Sequence, residues 1–301
     1  MEAKVNNMKI VSFYRFIGLK NTKAIKEKIE NNLIKKNLKG TILIATEGIN
    51  GSVAGKEDDI EILLKFIKLT LKIRKLELKI NEVDMFPFNK MRVRLKKEIV
   101  SLGIKNINVK HKSLKFIHPS KWNKIINNKD INIIDVRNPY EIKIGKFKNA
   151  INPQTKNFRD FPKKFEKLNI NKNDIIAMYC TGGIRCEKAS TFLSKKGYKN
   201  IIQLKGGILN YLSYFQKNYR ESMWNGECFV FDNRVTVKKN LAKGNFEQCY
   251  GCRSPITKKD RISKFYKKGV SCPHCYFIRT DEQKKRSFTR QKQKDEGKIM
   301  L

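Results

Sequence analysis

Asp174-Ile175-Ile176-Ala177-Met178-Tyr179-Cys180-Thr181-Gly182-Gly183-Ile184-Arg185-Cys186-Glu187-Lys188-Ala189 changes character twice. The apolar run to Cys180 reads as a buried strand, and the pattern from about residue 186 to 197 reads as a helix. Between them, Gly182 and Gly183 let the chain curl tightly. Working outward, a helix is expected at 119–128, a strand at 131–136 and a helix around 157–168. A strand at 200–204 and a helix at 206–216 follow. Strands alternating with helices predict a parallel sheet covered on both faces. A strand–glycine loop–helix junction aims several backbone N–H groups at one point, beside the positive end of a helix dipole. A cysteine at the start of such a loop has its thiolate stabilised, and the thiolate is the nucleophile. Cys180 is therefore the candidate catalytic residue. Thr181, Gly182, Gly183, Ile184 and Arg185 form the candidate anion cradle, with the Arg185 fork offering paired donors. The plainer alternative is a structural cysteine in a glycine turn. Asp135 and Arg137, at the end of the 131–136 strand, either shape the pocket mouth or form an internal ion pair. Cys186 is either a resolving thiol or a small packing residue.

Toward the N-terminus the pattern is strand (8–16), helix (21–37), strand (40–46), a turn expected at Asn50-Gly51, a return strand, helix (57–69) and extended segments (76–85, 90–103). The order β-α-β-β-α-β is that of a ferredoxin-like domain. Residues 103–120 read as a linker. The fold class is thus α/β and α+β, multidomain. A ferredoxin-like domain spans 1–112, a parallel α/β domain 113–222, and a small cysteine-rich segment with a basic tail 223–301. In that segment Asp232-Asn233 marks a hairpin. Cys249-x-x-Cys252 and Cys272-x-x-Cys275 have the spacing of a four-thiolate, zinc-ribbon-like site. Reduced, unliganded thiols or a redox pair are the alternatives. His274 reads as facing solvent or supporting the site from behind, and Cys228 as core. The final stretch from Asp281 reads as flexible.

The charge is lopsided, with 66 Lys plus Arg against 28 Asp plus Glu, a net +38 over 301 residues. That sign suits polyanions. The chain is also rich in Lys, Asn and Ile, as an A/T-biased genome produces, so the charge alone argues weakly. No apolar run is long enough for a membrane span. The first residues lack the pattern of a signal peptide. Seven cysteines without an export signal predict a cytoplasmic protein with metal-binding or reactive thiols.

Cys180 to Arg185 is C-x4-R, one residue shorter than the phosphatase loop, and it resembles the persulfide loop of rhodaneses. Asp135-Val136-Arg137 and Leu204-Lys205-Gly206-Gly207-Ile208 resemble rhodanese signatures too, as does the run Glu141 to Asn152, with Lys146 where a His is common. Thr46 to Gly51, Cys180 to Ser190, Gly206 to Tyr211, Trp224 to Asp232 and Gly269 to Cys275 extend the likeness over roughly 8–280. Together they look like the bacterial rhodanese-domain tRNA uridine(34) hydroxylases. The resemblance implies oxygen-dependent 5-hydroxylation of the wobble uridine of tRNA, with molecular oxygen as co-substrate and Cys180 as active-site cysteine. The partner implied is tRNA, not DNA or membrane. Only His111, His118 and His274 are present, and no glycine-rich dinucleotide fingerprint follows a strand, so neither an iron site, a flavin nor a haem is expected. Two other readings remain: a persulfide sulfurtransferase acting on tRNA or a small acceptor, and a non-catalytic RNA-binding adaptor. Tyr14 or Phe16 would be either a base-stacking platform or core.

Overall fold

A computed structural model describes residues 8–34, 36–105, 107–110 and 113–298. His111 lies outside the described residues. The chain divides into two compact units. The first runs to Cys228 and includes Lys239–Leu241, and the second is Phe229–Lys238 with the chain from Ala242.

The first unit opens with β1 (Met8–Phe16), α1 (Thr22–Leu33), β2 (Lys39–Ala45), β3 (Gly48–Lys56), α2 (Glu57–Thr70), β4 (Glu77–Glu82) and β5 (Met91–Leu95). The sheet order is β4-β1-β3-β2-β5, the ferredoxin-like arrangement with β5 added in parallel beside β2. Val11, Phe13, Ile42, Ile44 and Val53 meet Ile29, Ile60, Leu63 and Ile67 of the two helices in one buried cluster. Glu57, Asp58 and Asp59 occupy the first turn of α2, where carboxylates complement the helix dipole. The hairpin turn falls at Thr46-Glu47, not at Asn50-Gly51. Both of those residues lie inside β3, opposite Tyr14 and Phe13. Gly51 serves packing: a Cβ there would lie 2.5 Å from the Phe13 ring. Asn50 donates to the Ile99 carbonyl at 3.0 Å.

A second domain follows, built from β6 (Lys115–Ile117), α3 (Pro119–Asn127), β7 (Ile131–Asp135), α4 (Pro139–Ile142), β8 (Gly145–Phe147), α5 (Phe161–Phe165), β9 (Ile175–Tyr179), α6 (Ile184–Lys195), β10 (Asn200–Leu204) and α7 (Gly207–Lys217) around a second sheet. Its order is β6-β10-β9-β7, all parallel. Successive strand residues face opposite ways. Ile176 and Met178 join Phe161, Phe165, Phe192 and Leu193 on one face. On the other, Tyr179 meets Trp122, Phe147 and Trp224 in an edge-to-face aromatic cluster.

Four sequence expectations shift. The segment expected as a linker is packed: Ile107 and Val109 are buried in the core of the second domain. The helix expected at 157–168 breaks into a 3-10 turn (Phe158–Asp160), α5 and a second 3-10 turn (Glu166–Leu168). The helix after Cys180 begins at Ile184, not 186. The 222/223 boundary falls too early, because β11 (Trp224–Gly226) pairs with β8 and Trp224 is fully buried.

In the second unit, Asp232-Asn233 forms the expected hairpin, closed by the Val230 N–H to the Val235 carbonyl at 2.9 Å. Glu247–Gln248 pairs with Pro255–Ile256. Two helices follow, α8 (Lys258–Arg261) and α9 (Asp281–Asp295). The final stretch is therefore helical, not loose. Thr280 and Gln283 close a reciprocal capping box that fixes where α9 starts.

Candidate active site

β9 delivers Cys180 to the C-terminal edge of the parallel sheet, and α6 starts four residues later. Gly183 caps that helix at φ +102°, a conformation side chains disfavour. Its N–H donates to Cys180 Sγ at 3.1 Å. The far side of the loop is held by α7: the Ile208 N–H donates to the Cys180 carbonyl at 2.9 Å, and the Leu209 N–H to that of Thr181 at 3.1 Å. This approach requires Gly207, where a Cβ would lie 2.4 Å from the Cys180 carbonyl oxygen.

Burial pushes the Cys180 thiol up. The Cys186 thiol as hydrogen-bond donor, the Arg185 charge and the N–H groups of Cys186 and Gly183 outweigh it, bringing the value down to about 6. Cys186, fully buried beside that charge, is pushed well above its ordinary range and keeps its proton. Cys186 is thus a packed donor to the Cys180 sulfur.

Arg185 departs from expectation. Its fork faces Glu141, with both donors at 2.7 Å. One also reaches Thr181 Oγ1 at 3.3 Å. Glu141 is fully buried and takes the Asn138 N–H at 3.0 Å. Burial raises its carboxyl, but the Arg185 charge and hydrogen bonds hold it below the usual range. Arg185 therefore acts on Cys180 by charge, while its paired donors brace the loop against α4.

Asp135 and Arg137 do not line the pocket mouth. They form an internal ion pair, with Nε to Oδ1 at 2.9 Å and a terminal nitrogen to Oδ2 at 2.6 Å. Arg137 also donates to the carbonyls of Glu141 and Gly145 and stacks 5.0 Å from Trp224. Tyr179 donates to Asp135 at 2.6 Å. Lys146, one position along β8 from Gly145, is exposed.

The ferredoxin-like domain reaches the helix after Cys180 through side-chain pairings that no sequence motif marks. Tyr14 on β1 donates to Glu187 on α6 at 2.7 Å, with both side chains buried. Its hydroxyl lies against Gly183, 3.0 Å from where a Cβ would stand. It is core, not a stacking platform. Burial lifts Glu187 to about 7. Lys188 is buried and donates to both oxygens of Glu47 (2.9 and 2.7 Å), to Glu98 (2.6 Å) and to the Val100 carbonyl (2.9 Å). Lys79 of β4 packs against Gly206, and burial lowers its pKa. Cys180 is only 1% exposed, whereas Gly182 and Ile184 are half-buried.

His118 caps α3 and meets Tyr214 edge to face. Cys228 is core, its thiol pushed up by burial to about 12. In the second unit, the sulfurs of Cys249, Cys252, Cys272 and Cys275 all lie within 4.8 Å of one another. Cys272 is 3.8 Å from both Cys252 and Cys275. Tetrahedral zinc at about 2.3 Å from each sulfur requires sulfur–sulfur edges of about 3.8 Å, so this donor set fits that ion. His274 turns away to Asp260, 3.4 Å distant. Among the described residues no helix is long and apolar enough to cross a membrane.

A parallel sheet ending in a six-residue Cys-to-Arg loop, carried behind a ferredoxin-like domain, defines a rhodanese-type protein. Residues 118–214 match the rhodanese-like domain family, and residues 8–99 match the UPF0176 acylphosphatase like domain. The chain is 48% identical over 285 residues to the tRNA uridine(34) hydroxylase of Pelagibacter ubique (strain HTCC1062), covering 94% of this chain and 93% of that one. It belongs to the tRNA uridine(34) hydroxylase family. Among solved structures it is similar to a rhodanese-related protein from Thermoplasma volcanium, at 26% identity over 33% of this chain and 92% of that one, with a TM-score of 0.28. It is also similar to the polysulfide-sulfur transferase homodimer from Wolinella succinogenes, at 26% identity over 34% of this chain and 74% of that one, with a TM-score of 0.30.

Proposed function

We propose that this protein hydroxylates C5 of the wobble uridine of tRNA, with molecular oxygen as co-substrate and Cys180 as nucleophile. The observation that carries the reading is a cysteine with its pKa brought down to about 6 inside a C-x4-R loop, in a chain so similar to a relative named for that reaction. The Cys180 thiolate adds to C6 of uracil and makes C5 electron-rich. Loop amides and the Arg185 charge favour the anionic form of the site. Dioxygen bonds to C5 as a hydroperoxide. Two thiol equivalents reduce it to the hydroxyl, releasing water and a disulfide. Loss of the C5 proton expels Cys180 and restores the double bond. The wobble base enters unstacked, since a stacked base presents no route to a buried sulfur. Cys249, Cys252, Cys272 and Cys275 hold a structural zinc, which fixes a small unit with little core of its own.

The test replaces Cys180 by Ser and measures 5-hydroxyuridine in tRNA by mass spectrometry, with and without oxygen. The expected result is loss of the product in the variant and without oxygen. Undiminished 5-hydroxyuridine in the variant removes Cys180 from the reaction. Persulfide transfer by the same loop is the second reading, favoured by the C-x4-R spacing. Thiosulfate-to-cyanide transfer in the absence of hydroxylation would establish it instead.

A further inference from the structure

The second unit contains a cleft of about 500 Å³ outside the machinery described above. Its walls include Phe265, Tyr276 and Phe288, together with Lys264, Lys267, Lys284 and Lys285, and no carboxylate lines it. The rings of Phe265, Tyr276 and Phe277 lie about 5 Å from one another, and Phe277 is 76% exposed. Each wall ring carries an ammonium over its face: Lys264 over Phe265 at 5.3 Å, Lys284 over Tyr276 at 4.6 Å and Lys267 over Phe288 at 4.4 Å. Lys284 also meets Asp281 at 3.3 Å, whereas Lys264, Lys267 and Lys285 have no carboxylate within ion-pairing reach among the described residues. The cysteine cluster sets the cleft's shape, because Tyr276 follows Cys275 directly and its N–H donates to the Cys272 carbonyl.

We propose that this cleft binds an unpaired stretch of the RNA substrate, one base stacked against the Phe288 and Tyr276 rings and the flanking phosphates on the lysines. The identity of the partner as RNA rests on the proposed function; the recognition chemistry rests on the cleft. Aromatic walls, with Phe288 48% exposed, and lysines that can leave the ring faces for phosphates suit a ligand that is both planar and anionic. A duplex offers the phosphates but keeps its base faces stacked, so the aromatic walls select single strands.

The test uses the full chain as Cys180→Ser, with Kd measured by fluorescence anisotropy against a single-stranded oligoribonucleotide, a tRNA transcript and an RNA duplex. Phe288→Leu keeps an apolar side chain without a stacking face. It is expected to weaken single-strand binding roughly 5- to 150-fold and duplex binding by less than about twofold. Joint replacement of Lys264, Lys267 and Lys285 by Gln is expected to weaken all three RNAs and to flatten the salt dependence of log Kd by about 2 for the single strand. Retained circular dichroism and metal content exclude misfolding. Single-strand and tRNA affinities within twofold of the parent for both variants overturn the proposal. If such variants bind normally while the unmutated protein makes 5-hydroxyuridine, the cleft assignment fails and the proposed function stands. If the cleft binds RNA as expected but no product forms, the reverse holds.

Discussion

Replacing Cys186 by Ala removes one hydrogen-bond donor to the Cys180 sulfur and leaves the Gly183 N–H, the Cys186 N–H and the Arg185 charge in place. With the Cys180 value at about 6, the thiolate outnumbers the thiol about ten to one at pH 7. A hydrogen bond to a charged acceptor contributes about 1.5 to 3 kcal/mol, and a thiol is a weak donor, so about 1.5 kcal/mol is the fitting figure. That is roughly tenfold, bringing thiolate and thiol to about equal populations at pH 7. The assay is the ultraviolet absorbance of thiolate against pH, taken as the difference from Cys180→Ser so that the other six cysteines cancel. Cys186→Ser, which keeps a hydroxyl donor, should titrate close to the parent. The reasoning is refuted if the parent titrates in the ordinary cysteine range near 9, or if Cys186→Ala leaves the curve unmoved.

Lys188→Met leaves Glu47 and Glu98 facing each other without their shared cation, and should destabilise the protein by about 3 to 5 kcal/mol in urea denaturation. Gly207→Ala puts a Cβ 2.4 Å from the Cys180 carbonyl at a φ of +68°; an expected cost of about 1 to 3 kcal/mol should appear as a lower Tm. Glu187, raised from 4.5 to about 7, holds its proton more tightly folded than unfolded, so its contribution is fully present below pH 4.5 and is lost as pH rises through 7. Glu187→Gln should therefore gain about 3 kcal/mol on the parent between pH 4.5 and pH 7.5, read from denaturation curves at the two pH values. If the four cysteines hold the proposed zinc, a chelator should abolish amide-exchange protection in α9 while leaving β9 and β10 protected, as measured by hydrogen exchange with mass spectrometry.

What the amino-acid order settles by itself is local. The apolar run into Cys180, the paired glycines and the C-x4-R spacing lie within a dozen residues, so strand, loop and helix follow from periodicity and from the freedom of Gly183. The cysteine pairs are equally local, because each C-x-x-C turn presents its two sulfurs together. Ferredoxin-like and parallel α/β domains follow from the succession of such signals. The rest depends on which distant segments meet. Arg185 could as well have held a ligand; only the placement of Glu141, 44 positions earlier, shows where its fork points. Asn50-Gly51 carries the local signature of a turn, yet the Phe13 ring from another strand uses that glycine within a sheet. Tyr14 meets Glu187 across 173 positions and Lys188 meets Glu47 across 141. A lone tyrosine or lysine has no period or spacing that could announce such a pairing, since burial and partner choice are properties of the packed chain rather than of any stretch of it.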